Sequence, residues 1–391
     1  MRPSAGALRG KTGQRRFWRG RHSRVKRSVI RVLTSAAETG SGQTLAVLRL
    51  ILLASAVFAL TPTLAGGSSP ARANPNTTAS KLVQASRPMD PSRCTGSQLA
   101  VGEPSILPIK IVHLGKGAVV LANVCIEGAG PFPFVVDSGS ALSIVDTQLS
   151  QRFHLHQVGA PEQAAGIGCS ATVVPEQVSS WSVGSLTLRS QAVLSTSLPK
   201  LDASQPLDGV IGSDVLSRFG AVRIDYRRQT MSLGGRESLS PTNNSAPRGR
   251  ASIPAQFLKG VHVDTALTVV TQKGAVGIYA PVRFDGAESQ LFIVDTGAEI
   301  SMVSPLLAHT LHLVTSHQKV TLSATIGCPV DLTEVQSGRW TLGSDSLEPQ
   351  LIASLPASGL KADGLIGSDV LSRDGAVVID YRGARLLLES G

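Results

Sequence analysis

The chain contains one stretch twice. Phe134-Val135-Val136-Asp137-Ser138-Gly139-Ser140 runs through apolar residues into a carboxylate, a hydroxyl and a glycine, and Phe292-Ile293-Val294-Asp295-Thr296-Gly297-Ala298 repeats it. Further on, DGVIGSDVLSRFGAVRIDYR from Asp208 and DGLIGSDVLSRDGAVVIDYR from Asp363 differ only at Val210/Leu365, Phe219/Asp374 and Arg223/Val378. The chain is therefore built from two copies of one unit, and any function has to use both.

Each copy reads as β structure. Ile109–Val112 and Ala118–Cys125 are short, β-branched runs separated by Gly-Lys-Gly, a hairpin signal, and Ala266–Val270 and Val276–Arg283 match them around Gln272-Lys273-Gly274. With almost no long 3.6-residue period, the fold class is all-β, a barrel or sandwich in each half. Brief helices are expected at Asp146–His154 and Pro305–Leu313. Two more are expected at the Gly-Ser-Asp-Val-Leu segments, where Ser or Asp can cap the N-terminus.

The formal charge of +10 suggests nucleic acid until it is divided along the chain. Residues 1–73 hold 13 of the 37 Lys and Arg and a single acid, Glu38, so the rest is slightly acidic. That division speaks against a nucleic-acid partner. The basic leader, the apolar run Leu50–Leu60 and small-residue sites at Thr63-Leu64-Ala65 or Ala71-Arg72-Ala73 describe an export signal. A cleaved signal and an uncleaved N-terminal anchor both fit. Either makes the destination extracytoplasmic, periplasmic or secreted, with membrane contact only through this segment. Residues 74–104 read as a linker or pro-segment, 105–236 and 262–391 as the two lobes, and 237–261, rich in Pro, Ser, Asn and Gly, as their connection.

One Asp-Ser/Thr-Gly tripeptide is explained well enough by a turn after a strand. Two, at matching places of a repeat and each followed by an apolar-apolar-Gly segment, are not a coincidence. Asp137-Ser138-Gly139 with Gly209-Val210-Ile211-Gly212-Ser213-Asp214, and Asp295-Thr296-Gly297 with Gly364-Leu365-Ile366-Gly367-Ser368-Asp369, resemble the retropepsin-like aspartic proteases; the duplication is similar in plan to the pepsin family. The nearest likeness is to bacterial aspartyl-protease domains. The resemblance implies two homologous β-barrel lobes about a pseudo-twofold axis, with Asp137 and Asp295 catalytic in the cleft between them. It also implies that Ser138 and Thr296 hydrogen-bond across the axis, that Gly139 and Gly297 leave room beside the carboxylates, and that the apolar-apolar-Gly segments support the loops from beneath. Two carboxylates in contact share a proton and titrate as a pair, which suits them to activate water for peptide hydrolysis. No cofactor or metal is called for, the substrate is a protein or peptide, and a monomer suffices because one chain supplies both aspartates. Retroviral enzymes place Arg where this chain has Ser213 and Ser368, so their dimer interface is a poor template.

The flap candidates are Ala164–Ser170, with Gly168 and Cys169 at the tip, and Ser323–Pro329, with Gly327 and Cys328. Four cysteines allow three full pairings. Cys94–Cys125 within the first lobe is favoured, while Cys169 and Cys328 stand either as a bridge between flap tips or as two small thiols. His154, His156, His309 and His312 read as surface or packing residues, and Asp225-Tyr226 and Asp380-Tyr381 as structural strand ends. The competing function is a peptide-binding or envelope interaction module that keeps the fold without turnover.

Overall fold

The computed structural model describes Cys94 and residues 105–167, 170–201, 206–234, 260–323, 329–354 and 362–390, with backbone alone at 317–323 and 329. The expected leader, most of both connecting segments and the flap-tip cysteines lie outside these residues. Among the described residues, no helix is long and apolar enough to cross a membrane.

The fold is all-β, in two homologous lobes. In the first, the strand Ser105–Leu114 alternates buried and exposed side chains over most of its length, as a strand with one face on a core must. It turns tightly into Gly117–Ile126 and continues into Ala129–Val136, which delivers Asp137. The second lobe divides the opening strand into Val261–Ala266 and Thr268–Gln272, then runs through Ala275–Phe284 into Gln290–Val294, which delivers Asp295. Both expected hairpins are thus present, three of their strands longer than the apolar runs that announced them and the fourth, Thr268–Gln272, shifted two residues from the expected Ala266–Val270.

Gly209–Ile211 lies parallel beside Phe134–Val136, and Gly364–Ile366 parallel beside Phe292–Val294. This is the threading expected of the apolar-apolar-Gly segments. A Cβ on Gly209 would stand 2.1 Å from the Phe134 ring, and one on Gly364 2.1 Å from the Phe292 ring. The glycine lets each supporting strand press against the aromatic side chain two residues before Val136 or Val294.

The expected helices form at Thr147–Phe153, capped by the Asp146 side chain, and at Pro305–Thr310, capped by the Ser304 hydroxyl. His154 and His312 take matching left-handed positions at the ends of these helices, with φ of 51° and 50°. The helices Ser213–Leu216 and Ser368–Leu371 differ from expectation, because Gly212 and Gly367 precede them and no side chain caps them. Asp214 and Asp369 are occupied elsewhere. Asp214 accepts from Ser143 Oγ at 2.7 Å and Gln191 Nε2 at 2.9 Å, while Asp369 accepts from Ser301 Oγ at 2.7 Å and Gln350 Nε2 at 2.6 Å. These carboxylates tie strands together instead of capping a turn.

The lobes join through one sheet. Its strands run in the order Val261–Ala266, Arg385–Ser390, Gly375–Asp380, Ala221–Asp225, Thr230–Gly234, Ser105–Pro108, which reads as the same three-strand unit met from either side. The seam pairs Ala221–Asp225 antiparallel with Asp380–Ala376. Across it, Arg223 Nη2 meets Glu389 Oε2 at 2.7 Å, while its Nη1 holds Asp225 at 3.0 Å. Burial works against the Arg223 charge, but its bonds to Glu389 and Asp225 prevail and hold its pKa above the ordinary value. The largest apolar cluster includes buried residues of both lobes, among them Phe134, Ile224, Phe284, Trp340 and Ile379. In the second lobe, Trp340 stacks on Phe284 at 5.7 Å between ring centroids.

Candidate active site

Each aspartate enters its loop directly from a buried strand, with its backbone N–H donated to the supporting strand: Asp137 to Ile211 O and Asp295 to Ile366 O, both at 3.0 Å. The loop then folds back on the carboxylate. Ser140 N donates to Asp137 Oδ1 at 2.9 Å, and Gly297 N and Ala298 N donate to Asp295 Oδ1, both at 2.9 Å.

The two loops grip each other across the axis by four bonds. Thr296 Oγ1 donates to Val136 O at 2.8 Å and accepts from Ser138 N at 3.0 Å. Ser138 Oγ donates to Val294 O at 2.8 Å and accepts from Thr296 N at 3.1 Å. A hydroxyl is needed at both places because each must donate and accept at once.

This grip sets the carboxylates face to face. A Cβ on Gly139 would lie 2.4 Å from Asp295 Cγ, and one on Gly297 2.5 Å from Asp137 Cγ. Each glycine is the floor on which the other lobe's carboxylate rests. Both aspartates are fully buried. Burial, then the Asp137 charge and the side-chain hydrogen bond with Asp137, push the Asp295 carboxyl well above its ordinary value; the Gly297 and Ala298 N–H groups only partly oppose this. A buried facing pair of this kind holds one proton between two acids.

Glu162–Ala165 and Ser170–Val178 form one hairpin, and Thr315–Ser323 with Pro329–Gln336 the other. The tip residues Gly168, Cys169, Gly327 and Cys328 lie outside the described residues, and with them both alternatives for Cys169 and Cys328, a bridge or two small thiols. Cys94 and Cys125 are bonded to each other. Ile167, next to the first tip, is fully buried in an apolar cluster with Ile293, Ile300, Met302 and Leu365, which lie near Asp295 and its supporting strand, and with Leu332 of the second lobe's hairpin.

Three groups near the dyad were not singled out by sequence reasoning as part of it. Ser213, noted only as a departure from Arg, donates to Ser138 O at 2.8 Å and contacts the Tyr381 hydroxyl at 2.9 Å. Tyr381 thus reaches the first lobe's aspartate loop from the second lobe. Glu299 is buried with no hydrogen-bond partner for either carboxylate oxygen among the described residues. Burial, then the Asp369 charge, raise its pKa to about 8. The sequence carried a signal for it, since the first copy has Ala141 at the same place.

The aspartyl protease family model matches residues 122–215 and 280–370, one stretch in each lobe, each including an aspartate loop. No curated protein sequence matches the chain. Among solved structures, conglutin gamma, a basic 7S globulin from lupine seeds, is similar over 74% of this chain and 96% of its own, at 11% identity and a TM-score of 0.38. The basic 7S globulin from soybean covers 74% of this chain and 95% of its own, at 12% identity and a TM-score of 0.36.

Proposed function

We propose, from the match of the aspartyl protease family model to one stretch in each lobe, that the chain is an aspartic endopeptidase in which Asp137 and Asp295 together activate water. The observation that carries the reading is the mutual seating of each carboxylate on the other loop's glycine. It gives two acids in contact, buried, with a shared proton.

In that arrangement the ionised member takes a proton from water while the protonated member donates to the oxygen of the scissile carbonyl. Hydroxide oxygen bonds to the carbonyl carbon, giving a tetrahedral diol. The protonated member then gives its proton to the amide nitrogen while the other takes one from a diol hydroxyl, the C–N bond breaks to leave a carboxylic acid and an amine, and the dyad again holds one proton. Base and acid belong to the pair, not to either residue. The protein acts outside the cytoplasm, on protein or peptide substrates, as a single chain.

The test is cleavage of a peptide library by the full chain from pH 3 to 8, beside Asp137→Asn and Asp295→Asn. Loss of cleavage in both, with indifference to EDTA, is the expected result. A folded protein that cleaves nothing at any pH, or a variant that keeps full activity, overturns the reading in favour of a peptide-binding module.

A further inference from the structure

Beneath the dyad the repeat loses its symmetry. The seam strands Ala221–Asp225 and Gly375–Asp380 are each followed by a tyrosine and run antiparallel, so each brings a phenol to the opposite lobe. Tyr381 of the second lobe lies within electrostatic reach of Asp137, and Tyr226 of the first within reach of Asp295. Both side chains are buried.

Their hydroxyls are used differently. Ser213 gives its only proton to the Ser138 carbonyl at 2.8 Å, so in its 2.9 Å contact with Tyr381 the phenol is the donor. At the matching place, Ser368 Oγ accepts from Ala118 N at 2.8 Å, and the Tyr226 hydroxyl has no hydrogen-bond partner among the described residues. The sequences at these positions are identical. The difference comes from the turn before Ala118, where Gly117 lets the chain close onto the second lobe; a Cβ there would lie 1.9 Å from Glu299 O and 2.7 Å from Ser368 Oγ.

We propose that Tyr381 is a positioning residue for the opposite lobe's aspartate loop, acting through Ser213 on the Ser138–Gly139 peptide, and that Tyr226 has no such role. The inference rests on the two-aspartate reading given above. In a trans peptide the C=O and N–H point in opposite directions. A chain of two donors on the Ser138 carbonyl therefore polarises the Ser138–Gly139 peptide, and its N–H, on the side away from Ser213, becomes a stronger donor. The stronger donor favours the ionised form of the pair. The dyad is supported by this relay from the first lobe's side alone.

The experiment compares Tyr381→Phe with Tyr226→Phe in the full chain by two readouts. The first is titration of the dyad by its carboxyl infrared band, taken as a difference from the Asp137→Asn/Asp295→Asn double variant, which requires no turnover. Tyr381→Phe is expected to move the lower titration step up by about half a unit, and Tyr226→Phe to leave it in place. The second is peptide cleavage, where kcat of Tyr381→Phe falls about fivefold with KM within about twofold. If wild-type protein cleaves nothing, the protease reading fails while the titration still decides the role of Tyr381. Where Tyr381→Phe does not fold, Ser213→Ala, which removes the middle of the relay and keeps the phenol, is read instead. An unmoved titration in the variant read, or equal shifts in both tyrosine variants, overturns the proposal.

Discussion

Glu299→Gln separates a buried acid from every other pH-dependent feature of the fold. The carboxyl is 1% exposed, neither oxygen has a hydrogen-bond partner among the described residues, and its pKa is raised from 4.5 to about 8 by burial and then by Asp369. Below pH 4.5 it is protonated in both the folded and unfolded chain and costs nothing. Between 4.5 and about 8 the unfolded chain releases the proton while the folded chain keeps it, so stability falls as pH rises. At about 1.4 kcal/mol per pKa unit the loss reaches an upper limit of about 5 kcal/mol by pH 8 and is constant above it. Glutamine has the same shape and does not titrate. Urea unfolding of both proteins at pH 4.5, 6 and 8.5 should therefore show the variant gaining on wild type with pH, by about 2–5 kcal/mol across the range. Whatever the amide costs or contributes in itself is the same at every pH and cancels in that difference. A gap that stays constant to within about 0.5 kcal/mol means that Glu299 reaches solvent or a partner and that its carboxyl is not raised.

Other outcomes follow from the site and its scaffold. Thr296→Val keeps the shape but leaves Val136 O and Ser138 N without their hydroxyl partner; we expect a loss of about 2–4 kcal/mol in urea unfolding, with Thr296→Ser close to wild type. Gly139→Ala drives a methyl group into the Asp295 carboxyl, and the displaced dyad should lower kcat/KM by about 100-fold while far-UV circular dichroism stays native. Reducing Cys94–Cys125, whose residues are 31 apart in sequence, removes a loop closure worth about 3–4 kcal/mol, to be read as a lower thermal midpoint in reductant.

The parts of the molecule that follow a local rule were legible. Aspartate loops leaving apolar strands and hairpins around Lys-Gly could be read from short stretches, because the repeat displayed each of them twice, while the reach of the Ser138 and Thr296 hydroxyls to the opposite loop came from the family resemblance. What escaped depends on partners distant in sequence. Asp214 and Asp369 look like helix caps until Ser143 and Ser301, 71 and 68 residues before them, arrive with competing hydroxyls. Tyr226 and Tyr381 sit in nearly identical sequences and read as equivalent strand ends; only the approach of Gly117 to the second lobe makes their hydroxyls differ. Repetition, so informative about architecture, conceals what is not repeated.

The ion pair across the seam has a meaning for how such a chain recognises itself. Two first lobes joined in the same register would set Arg223 against Arg223, with Gly234 where Glu389 now stands. Two second lobes would set Val378 against Val378 and leave Glu389 with no cation. The second union strands the Glu389 carboxylate that the unlike union neutralises, at a cost of about 3–5 kcal/mol for an unmatched buried charge, and the first sets two guanidinium groups side by side with only Asp225 of each lobe to offset them. One of the three differences between otherwise identical segments thus works as a mating type: each half is compatible with the other and ill-suited to itself.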